Sequence, residues 1–198
     1  MSGPLSGLKV VEVGVAMAAP YCAMALADMG AEVVKVERIG TGDDSRAWPP
    51  HLDGKLGHYF AAANRGKRSI AVDLKAPEGV EIVRKLATEA DIFIENFRVG
   101  ALEAAGLGYE ALAALNPRLV YCSISGFGRT GPRKEERAND LFMQAFSGSM
   151  SITGEVGGGP VKIGLSVADI GAGLFATIGV LGALEARHHT GRGQHVDT

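Results

Sequence analysis

The sequence predicts an α/β protein built on a Rossmann-like, mostly parallel, doubly wound sheet. Short β-branched runs alternate with helical segments along its 198 residues, and this alternation is typical of a parallel sheet with helices on both faces. The chain is 46% hydrophobic and 21% charged. Such a composition supports one sizeable core and excludes a disordered chain.

The first strand–helix–strand unit opens the chain. Residues 8–13 and 31–37 are rich in Val and are predicted strands, and the segment between them, rich in Ala and Met, is a predicted helix. Pro20 suits the first turn of that helix, and Gly30 suits the position just after its end.

The same alternation continues along most of the remaining chain. Period-two patterns predict strands, and apolar residues at helical spacing predict helices. The further predicted elements are a strand at 69–74, a helix at 77–90, a strand at 91–94, a helix at 109–115, a strand at 119–124 and a helix at 140–146.

Two Gly-rich stretches interrupt the alternation. Residues 39–68 form a long excursion with several Gly, Asp and Pro residues. Because ordered loops of that length are usually functional, we expect the excursion to cover a site. Residues 126–138 form a second, charge-dense loop, and residues 154–159 form a flexible turn.

The last part of the sequence contains one long apolar segment. Residues 170–184 carry no charge and are bounded by Asp169 and Glu185. They fall short of the ~20 residues that a bilayer requires, so we interpret them as a helix buried in protein and expect no membrane partner. Residues 194–198 begin a further strand, and we expect the chain to be part of a larger architecture.

Charge and cysteine content exclude several classes of protein. With 20 Lys and Arg against 22 Asp and Glu, the chain has no general attraction for nucleic acid. Cys22 and Cys122 are far apart and no CxxC motif is present, so neither a disulfide framework nor a zinc site is indicated. Residues 1–5 lack the pattern of a signal peptide. These features predict a cytoplasmic protein.

The turn after the first predicted strand does not carry a nucleotide-binding fingerprint. Residues 14–19 read GVAMAA, without the second and third glycines that let a pyrophosphate approach the backbone. NAD binding by that motif is therefore not expected. The P-loop, the GxSxG elbow and the HExxH motif do not occur in the sequence either.

Polar residues follow several predicted strands at the edge where doubly wound sheets bind ligands. Arg38 follows the second strand, Lys75 the third and Asn96 the fourth. Each cation alone is consistent with a solvated surface charge, but Arg38 and Lys75 together favour an anionic, nucleotide-like ligand.

Asp169 is the most informative single residue. It is predicted in the first turn of the long apolar helix, where an acid commonly caps the helix or complements its dipole. The alternative is a nucleophile that the same dipole keeps ionised, with Gly171 and Gly173 leaving room for substrate. A carboxylate can attack a thioester to form a mixed anhydride.

The sequence resembles the class III CoA-transferases of the CaiB/BaiF type, a family that includes formyl-CoA transferase, carnitine CoA-transferase and α-methylacyl-CoA racemase. The motifs that carry the resemblance are PLSGLKVVEVG at 4–14, LADMGAEVVKVER at 26–38, NRGKRS at 64–69, ENFR at 95–98, NPRLVY at 116–121, SGFG at 125–128, SGSMSITGE at 147–155, VADIGAG at 167–173 and TGRGQHVD at 190–197.

The resemblance implies a role for individual residues. Asp169 matches the nucleophile that carries the acyl group, and Asn139 matches a position in the substrate pocket. The implied CoA-binding residues are Val15, Ala16, Met17, Ala18, Arg38, Val72, Lys75, Asn96, Phe97 and Arg137.

The resemblance also implies the overall organisation. Residues 1–198 match the N-terminal part of the large CoA-binding domain, without the smaller second domain and the C-terminal return of the chain. The implied substrates are coenzyme A, as acyl-CoA, and carboxylic acids, with no metal and no tightly bound cofactor. The implied assembly is an interlocked homodimer.

Three departures narrow the expected activity. Met17 stands where formyl-CoA transferases have Gln. Racemases have a His directly before an Asp, and this chain has Asn139 in place of that His, before Asp140. Ala104 stands where some members have a basic residue. We expect a CoA-transferase that uses an aspartyl anhydride and an aspartyl-CoA thioester. The alternatives are a 2-methylacyl-CoA racemase or epimerase, and a truncated, non-catalytic CoA-binding half.

Overall fold

The computed structural model describes residues 3–198. Met1 and Ser2, which belong to the segment compared above with signal peptides, lie outside the described residues. The main sheet has six strands, all paired in parallel, in the order β5-β2-β1-β6-β7-β8. Its strands are β1 Lys9–Val13, β2 Glu32–Glu37, β5 Lys67–Ala71, β6 Ile92–Glu95, β7 Val120–Ser123 and β8 His195–Asp197. A separate antiparallel hairpin contains β3 His51–Leu52 and β4 Leu56–Gly57.

Helices connect and cover the strands. They are α1 Ala18–Asp28, α2 His58–Ala63, α3 Pro77–Glu89, α4 Ala101–Ala104, α5 Tyr109–Leu115, α6 Asp140–Phe146 and α7 Val167–Thr190, with 3-10 helices at Asp44–Ala47 and Ser149–Ile152. Pro20 lies in the first turn of α1, and Gly30 follows its end with φ +101°.

The core has two parts, one on each face of the sheet. On one face α1 and α7 pack against β1, β6 and β7, and on the other face α3 and α5 pack against the same strands. Residues of β6 and β7 are buried throughout, which explains why these strands are apolar runs rather than alternating patterns. The predicted α/β fold with a parallel, doubly wound sheet is confirmed.

The third strand of the main sheet is displaced from its predicted position. The alternation predicts residues 69–74, but β5 spans Lys67–Ala71. β2 is the strand that pairs with β5, and it ends at Glu37 opposite Ala71, so residues 73 and 74 have no strand to pair with. The chain instead turns into α3, where Gly79 lies directly against the Asp73 carbonyl group.

Helix α7 is longer and less enclosed than the predicted buried helix at 170–184. Its inner face packs closely on α1 and β7, but Leu174, Phe175 and Ile178 are 45%, 69% and 63% exposed. By length and composition α7 could cross a membrane, with one third of its most apolar 18-residue window buried. A core helix of a soluble protein passes the same test, so the absence of a membrane partner stays a prediction.

Candidate functional site

The order of the strands reverses between β1 and β6, and the predicted site residues gather at this reversal. The sheet continues from β1 to β2 and β5 on one side, and from β6 to β7 and β8 on the other. Doubly wound sheets bind ligands in the crevice outside the carboxyl ends of the strands at such a point. The loops that flank the crevice here are residues 14–17 and 96–100.

Two cavities open at the crevice, and Phe97 borders both. The first cavity has a volume of about 390 Å³ and the second a volume of about 610 Å³. The predicted residues that line the first cavity are Ala18, Asn96, Phe97, Arg137, Asn139 and Asp169. Those that line the second are Val15, Arg38, Val72, Lys75 and Phe97. Ala16 and Met17 line neither of these two cavities.

Asp169 lies in the first turn of α7 and borders the first cavity. Ser166 occupies the N-cap position of that helix, so Asp169 is a first-turn acid and not the capping residue. Within residues 3–198, no group donates a hydrogen bond to its carboxylate. The carboxylate is therefore available to a molecule in the cavity.

The environment of Asp169 makes it a weaker acid than usual. Burial, and secondarily the charge of Asp140, raises the pKa of Asp169 to about 6. The expectation that the helix dipole keeps this group ionised predicts a lowered pKa, and the direction found is the opposite. At neutral pH the carboxylate is still mostly ionised, and its raised basicity suits a nucleophile.

Asp140 also fixes the start of α7. Its side chain is buried, accepts a hydrogen bond from the Ala168 N–H at 2.9 Å and accepts another from Gln144 Nε2 at 2.7 Å. Gln144 in turn donates to the Leu165 carbonyl oxygen and accepts from the Ile163 N–H. α6 thereby holds the segment that leads into the first turn of α7.

Of the two glycines expected to leave room for substrate beside Asp169, only Gly171 has open space around it. A Cβ at Gly171 would meet no atom within 4 Å, which agrees with room beside the carboxylate. A Cβ at Gly173 would lie 2.8 Å from the Ala18 carbonyl oxygen. Gly173 therefore allows α7 to approach α1 and does not make room for substrate.

The predicted cations are exposed and lie at the borders of the two cavities. Arg38 is exposed, forms an ion pair with Asp44 and borders the second cavity, as does the exposed Lys75. Arg137 is exposed at the first cavity, where Lys134 is a second cation. Each cavity thus has exposed basic side chains at its border that an anionic ligand can reach. Acidic residues border the cavities as well: Glu136 at the first, and Glu37, Asp43, Asp44 and Asp73 at the second.

Asn96 and Asn139 have local structural roles as well as positions at the first cavity. The Asn96 side chain accepts a hydrogen bond from the Val15 N–H and donates one to the Val15 carbonyl oxygen, at 2.9 Å each. Asn139 is the N-cap of α6, where its side chain accepts from the Phe142 N–H at 2.9 Å. Substitution at either position would change the backbone as well as the cavity wall.

Buried charges beneath the crevice were not predicted from the sequence. Glu12 and Lys35 are 0% and 1% exposed and form an ion pair at 2.6 Å, and Lys67 contacts the other oxygen of Glu12 at 2.7 Å. The sequence does contain a signal for this pair. Glu12 and Lys35 are each flanked on both sides by Val within a strand, their charges are opposite, and they face each other in the register of β1 and β2.

The excursion at 39–68 is fastened to the sheet by a second buried acid. Glu37 accepts two hydrogen bonds from Arg46, both at 2.7 Å, and one from Ser69 at 2.5 Å. Although burial opposes ionisation, these bonds bring the pKa of Glu37 down to about 2. Tyr59 of the excursion donates to Ser166 at 2.8 Å, so the excursion reaches the N-terminus of α7 as well.

Comparison with known proteins gives consistent results. The model of CoA-transferase family III matches residues 5–198. A succinate–glutarate CoA-transferase of Agrobacterium fabrum is 48% identical over 98% of this chain and 50% of its own length. A human succinyl-CoA:glutarate CoA-transferase is 43% identical over 98% of this chain and 44% of its own length. The chain thus spans about half the length of the curated relatives that it matches.

Solved structures agree in both fold and family. A CaiB/BaiF family protein from Brucella suis superposes with a TM-score of 0.95 at 48% identity, over 100% of this chain and 53% of the other. Rv3272 from Mycobacterium tuberculosis superposes with a TM-score of 0.91 at 34% identity, over 98% of this chain and 54% of the other. With these likenesses, the family model and the crevice geometry together, the chain belongs to CoA-transferase family III.

Proposed function

We propose that this chain supplies the CoA-binding site and the acyl-carrying carboxylate of a CoA-transferase. The observation that carries the proposal is the placement of Asp169. It is a half-buried carboxylate without a hydrogen-bond partner among the described residues, at the border of a cavity next to a second cavity with basic side chains. This arrangement suits a nucleophile beside a site for a large anionic ligand.

The proposed chemistry uses Asp169 twice. Its carboxylate attacks the thioester carbonyl of the donor, the C–S bond breaks, and an aspartyl anhydride and CoA thiolate result. The thiolate then attacks the aspartyl carbonyl, which releases the donor carboxylate and leaves an aspartyl-CoA thioester. The acceptor carboxylate attacks that thioester, and the CoA thiolate released attacks the acceptor carbonyl, so acyl-CoA forms and Asp169 is regenerated.

The names of the relatives support a dicarboxylic acid as substrate. They specify succinate, glutarate, D-citramalate and mesaconate, all of which carry two carboxyl groups. We propose succinyl-CoA as donor and a dicarboxylic acid such as glutarate as acceptor. Arg137 and Lys134 at the first cavity are the basic side chains that we assign to the anionic groups of substrate there.

The test is transfer from succinyl-CoA to glutarate by the protein that carries this sequence. Asp169→Asn should lower kcat at least about a thousandfold, because the amide is a poor nucleophile. In the unsubstituted protein, hydroxylamine added during turnover should convert the Asp169 acyl intermediate to a hydroxamate that peptide mass spectrometry locates. Transfer that survives Asp169→Asn would refute the role of this residue.

Glu110→Gln is the matched control for that substitution. Glu110 is also an acid in the first turn of a helix, but it is exposed and lies on α5. The control should keep full activity.

The alternatives predict different results in the same assays. A racemase or epimerase would introduce solvent deuterium at the α-carbon of a 2-methylacyl-CoA; the named relatives are CoA-transferases and do not favour this activity. A non-catalytic CoA-binding half would bind CoA and transfer nothing. The homodimer and the cytoplasmic location stay predictions, and sedimentation analysis tests the first.

A further inference from the structure

The loop that follows β1 is held by buried or half-buried side chains, residue by residue. Lys35 Nζ donates to the Gly14 carbonyl oxygen at 2.9 Å. At the next residue, Asn96 accepts from the Val15 N–H and donates to the Val15 carbonyl oxygen. Backbone polar groups that usually turn to water in a loop are thus bound by side chains from β2 and from the end of β6.

The following residue, Ala16, has a backbone conformation that needs support. Its φ is +62°, in the left-handed region that a residue with a Cβ atom seldom adopts. Both carboxylate oxygens of Asp43 accept from the Ala16 N–H, at 3.2 Å each. Such a conformation persists where surrounding groups fix it, and Asp43 is the group that meets this N–H.

Asp43 is itself fixed from several directions. Its side chain is 0% exposed and lies 3.0 Å from Lys35 Nζ. It also accepts from the Ser45 N–H at 2.9 Å and from Ser45 Oγ at 2.7 Å, while its own N–H donates to Glu37. Four donors surround one carboxylate, so the position of its oxygens is well determined.

The charge of Lys35 and those of Glu12 and Asp43 stabilise one another. Lys35 is buried between Glu12 and Asp43, and a buried charge without a partner is costly. Burial favours a neutral Lys35, but the two carboxylates more than offset it and raise the pKa of Lys35. The ammonium group therefore links Asp43, and with it the excursion at 39–68, to the Gly14 carbonyl group.

We propose that Asp43 is a positioning residue for the CoA site, which holds Ala16 in the left-handed conformation and so fixes the loop at 14–17. This loop leads from Gly14 and Val15, which line the second cavity, to Ala18, which lines the first. The inference rests on the proposed function, since it assigns a role to the loop in CoA binding.

The decisive substitution is Asp43→Asn, combined with Ala16→Gly. The amide keeps one acceptor oxygen but replaces the other with an NH2 group that only donates, so it cannot accept from Lys35, Ser45 and Ala16 together. We expect Asp43→Asn to weaken CoA binding about tenfold, measured by titration calorimetry. This factor corresponds to the free energy that an Ala residue usually needs to adopt the left-handed conformation. Glycine adopts this conformation without that cost. Ala16→Gly should therefore recover most of the loss in the Asp43→Asn background, with the Ala16→Gly single variant as reference.

Asp91→Asn controls for loss of stability alone. Asp91 forms an ion pair with the buried Arg187 at 3.0 Å, at the start of β6 and away from both cavities. It should lower Tm and leave CoA affinity unchanged. If Asp43→Asn does not fold, Ser45→Ala, which removes one donor to Asp43, should weaken CoA binding two- to threefold, again with recovery by Ala16→Gly.

The outcomes separate the inference from the proposed function. If the unsubstituted protein binds CoA, but Asp43→Asn lowers Tm without a change in affinity, Asp43 is only structural and the inference is wrong. Loss of affinity that Ala16→Gly does not recover also contradicts it. If the unsubstituted protein does not bind CoA, the proposed function itself fails.

Discussion

At the scale of single residues, the pKa of Asp169 sets an expected pH dependence. A carboxylate attacks only when ionised, and the pKa of Asp169 is raised to about 6 by burial and by Asp140. We expect kcat for transfer to rise with pH through an apparent pKa near 6 and to be level above it. Rates measured between pH 5 and pH 8 at saturating substrate check this expectation.

Asp140→Asn should shift the acid limb of this profile, the range in which kcat rises with pH, to lower pH. The substitution removes the like charge beside Asp169 but leaves the burial, so the pKa of Asp169 should fall part of the way to its usual range. Asp53→Asn, in the exposed turn between β3 and β4, is the control and should leave the limb in place. An unchanged limb in Asp140→Asn would mean that the charge of Asp140 does not reach Asp169.

Glu37 predicts a stability change in acid. Its pKa is depressed to about 2, because the bonds from Arg46, Ser69 and the Asp43 N–H more than offset its burial. The folded-state value lies below the ordinary 4.5, so the stabilisation is complete above pH 4.5 and is lost as the pH falls through 2. We expect Glu37→Gln to lower the free energy of unfolding by about 2 kcal/mol at pH 7 and by much less at pH 2.5. Urea unfolding at the two pH values measures the difference, and equal losses at both would contradict the assignment.

At the scale of secondary-structure elements, the contact between α1 and α7 depends on one glycine. A Cβ at Gly173 would lie 2.8 Å from the Ala18 carbonyl oxygen and 3.2 Å from the Tyr21 Cβ. Since backbone cannot move aside as a long side chain can, Gly173→Ala should destabilise the protein by about 1–3 kcal/mol in urea unfolding.

Gly182→Ala provides the comparison within the same helix. A Cβ there would meet no atom within 4 Å, and alanine favours the helix, so stability should rise by about 0.5–1 kcal/mol. If both alanine variants stabilise the protein, the close approach of α1 and α7 at Gly173 is not tight.

At the scale of the whole molecule, the balance of charges gives no general attraction for anions, so we expect anion binding to depend on individual cations at the cavities. The formal net charge is −2, while Arg38 and Lys75 border the second cavity. We expect CoA affinity to fall as ionic strength rises, and Lys75→Met to lower both the affinity and its dependence on salt. Titration calorimetry at two or more salt concentrations measures both. Lys85→Met removes the same charge from the exposed face of α3, and an equal effect there would show that only the net charge matters.

Much of the fold could be predicted from the sequence, because buried parallel strands are recognisable apolar runs. The strand displaced furthest from its predicted position is β5, an edge strand whose Lys67–Ala71 segment is largely exposed, so burial did not impose a clear pattern on it. The structure inside the excursion could not be predicted either. It depends on contacts such as Glu37 with Arg46 and Arg46 with Phe60, which join residues by tertiary packing and not by local propensity.

The placement of the candidate site residues could be predicted where they follow strands, but not where they depend on partners distant in the sequence. Arg38, Lys75 and Asn96 follow strands, so their shared edge follows from the topology. Asp140 acts on the N–H of Ala168, far along the chain, and Asp43 acts on that of Ala16. No spacing rule connects such pairs before the fold is known.

The reversal of strand order has a consequence for how the protein folds. β1, β2 and β5 pair over short separations in sequence, whereas β1 meets β6 across the long separation between Val10 and Ile92. Closing so large a loop is entropically unfavourable, so pairs of high contact order form slowly. We therefore expect the pairing of β1 with β6 to form late, as does that of β7 with β8 between Tyr121 and His195, and the crevice that holds the candidate site to form only once β1 and β6 have paired.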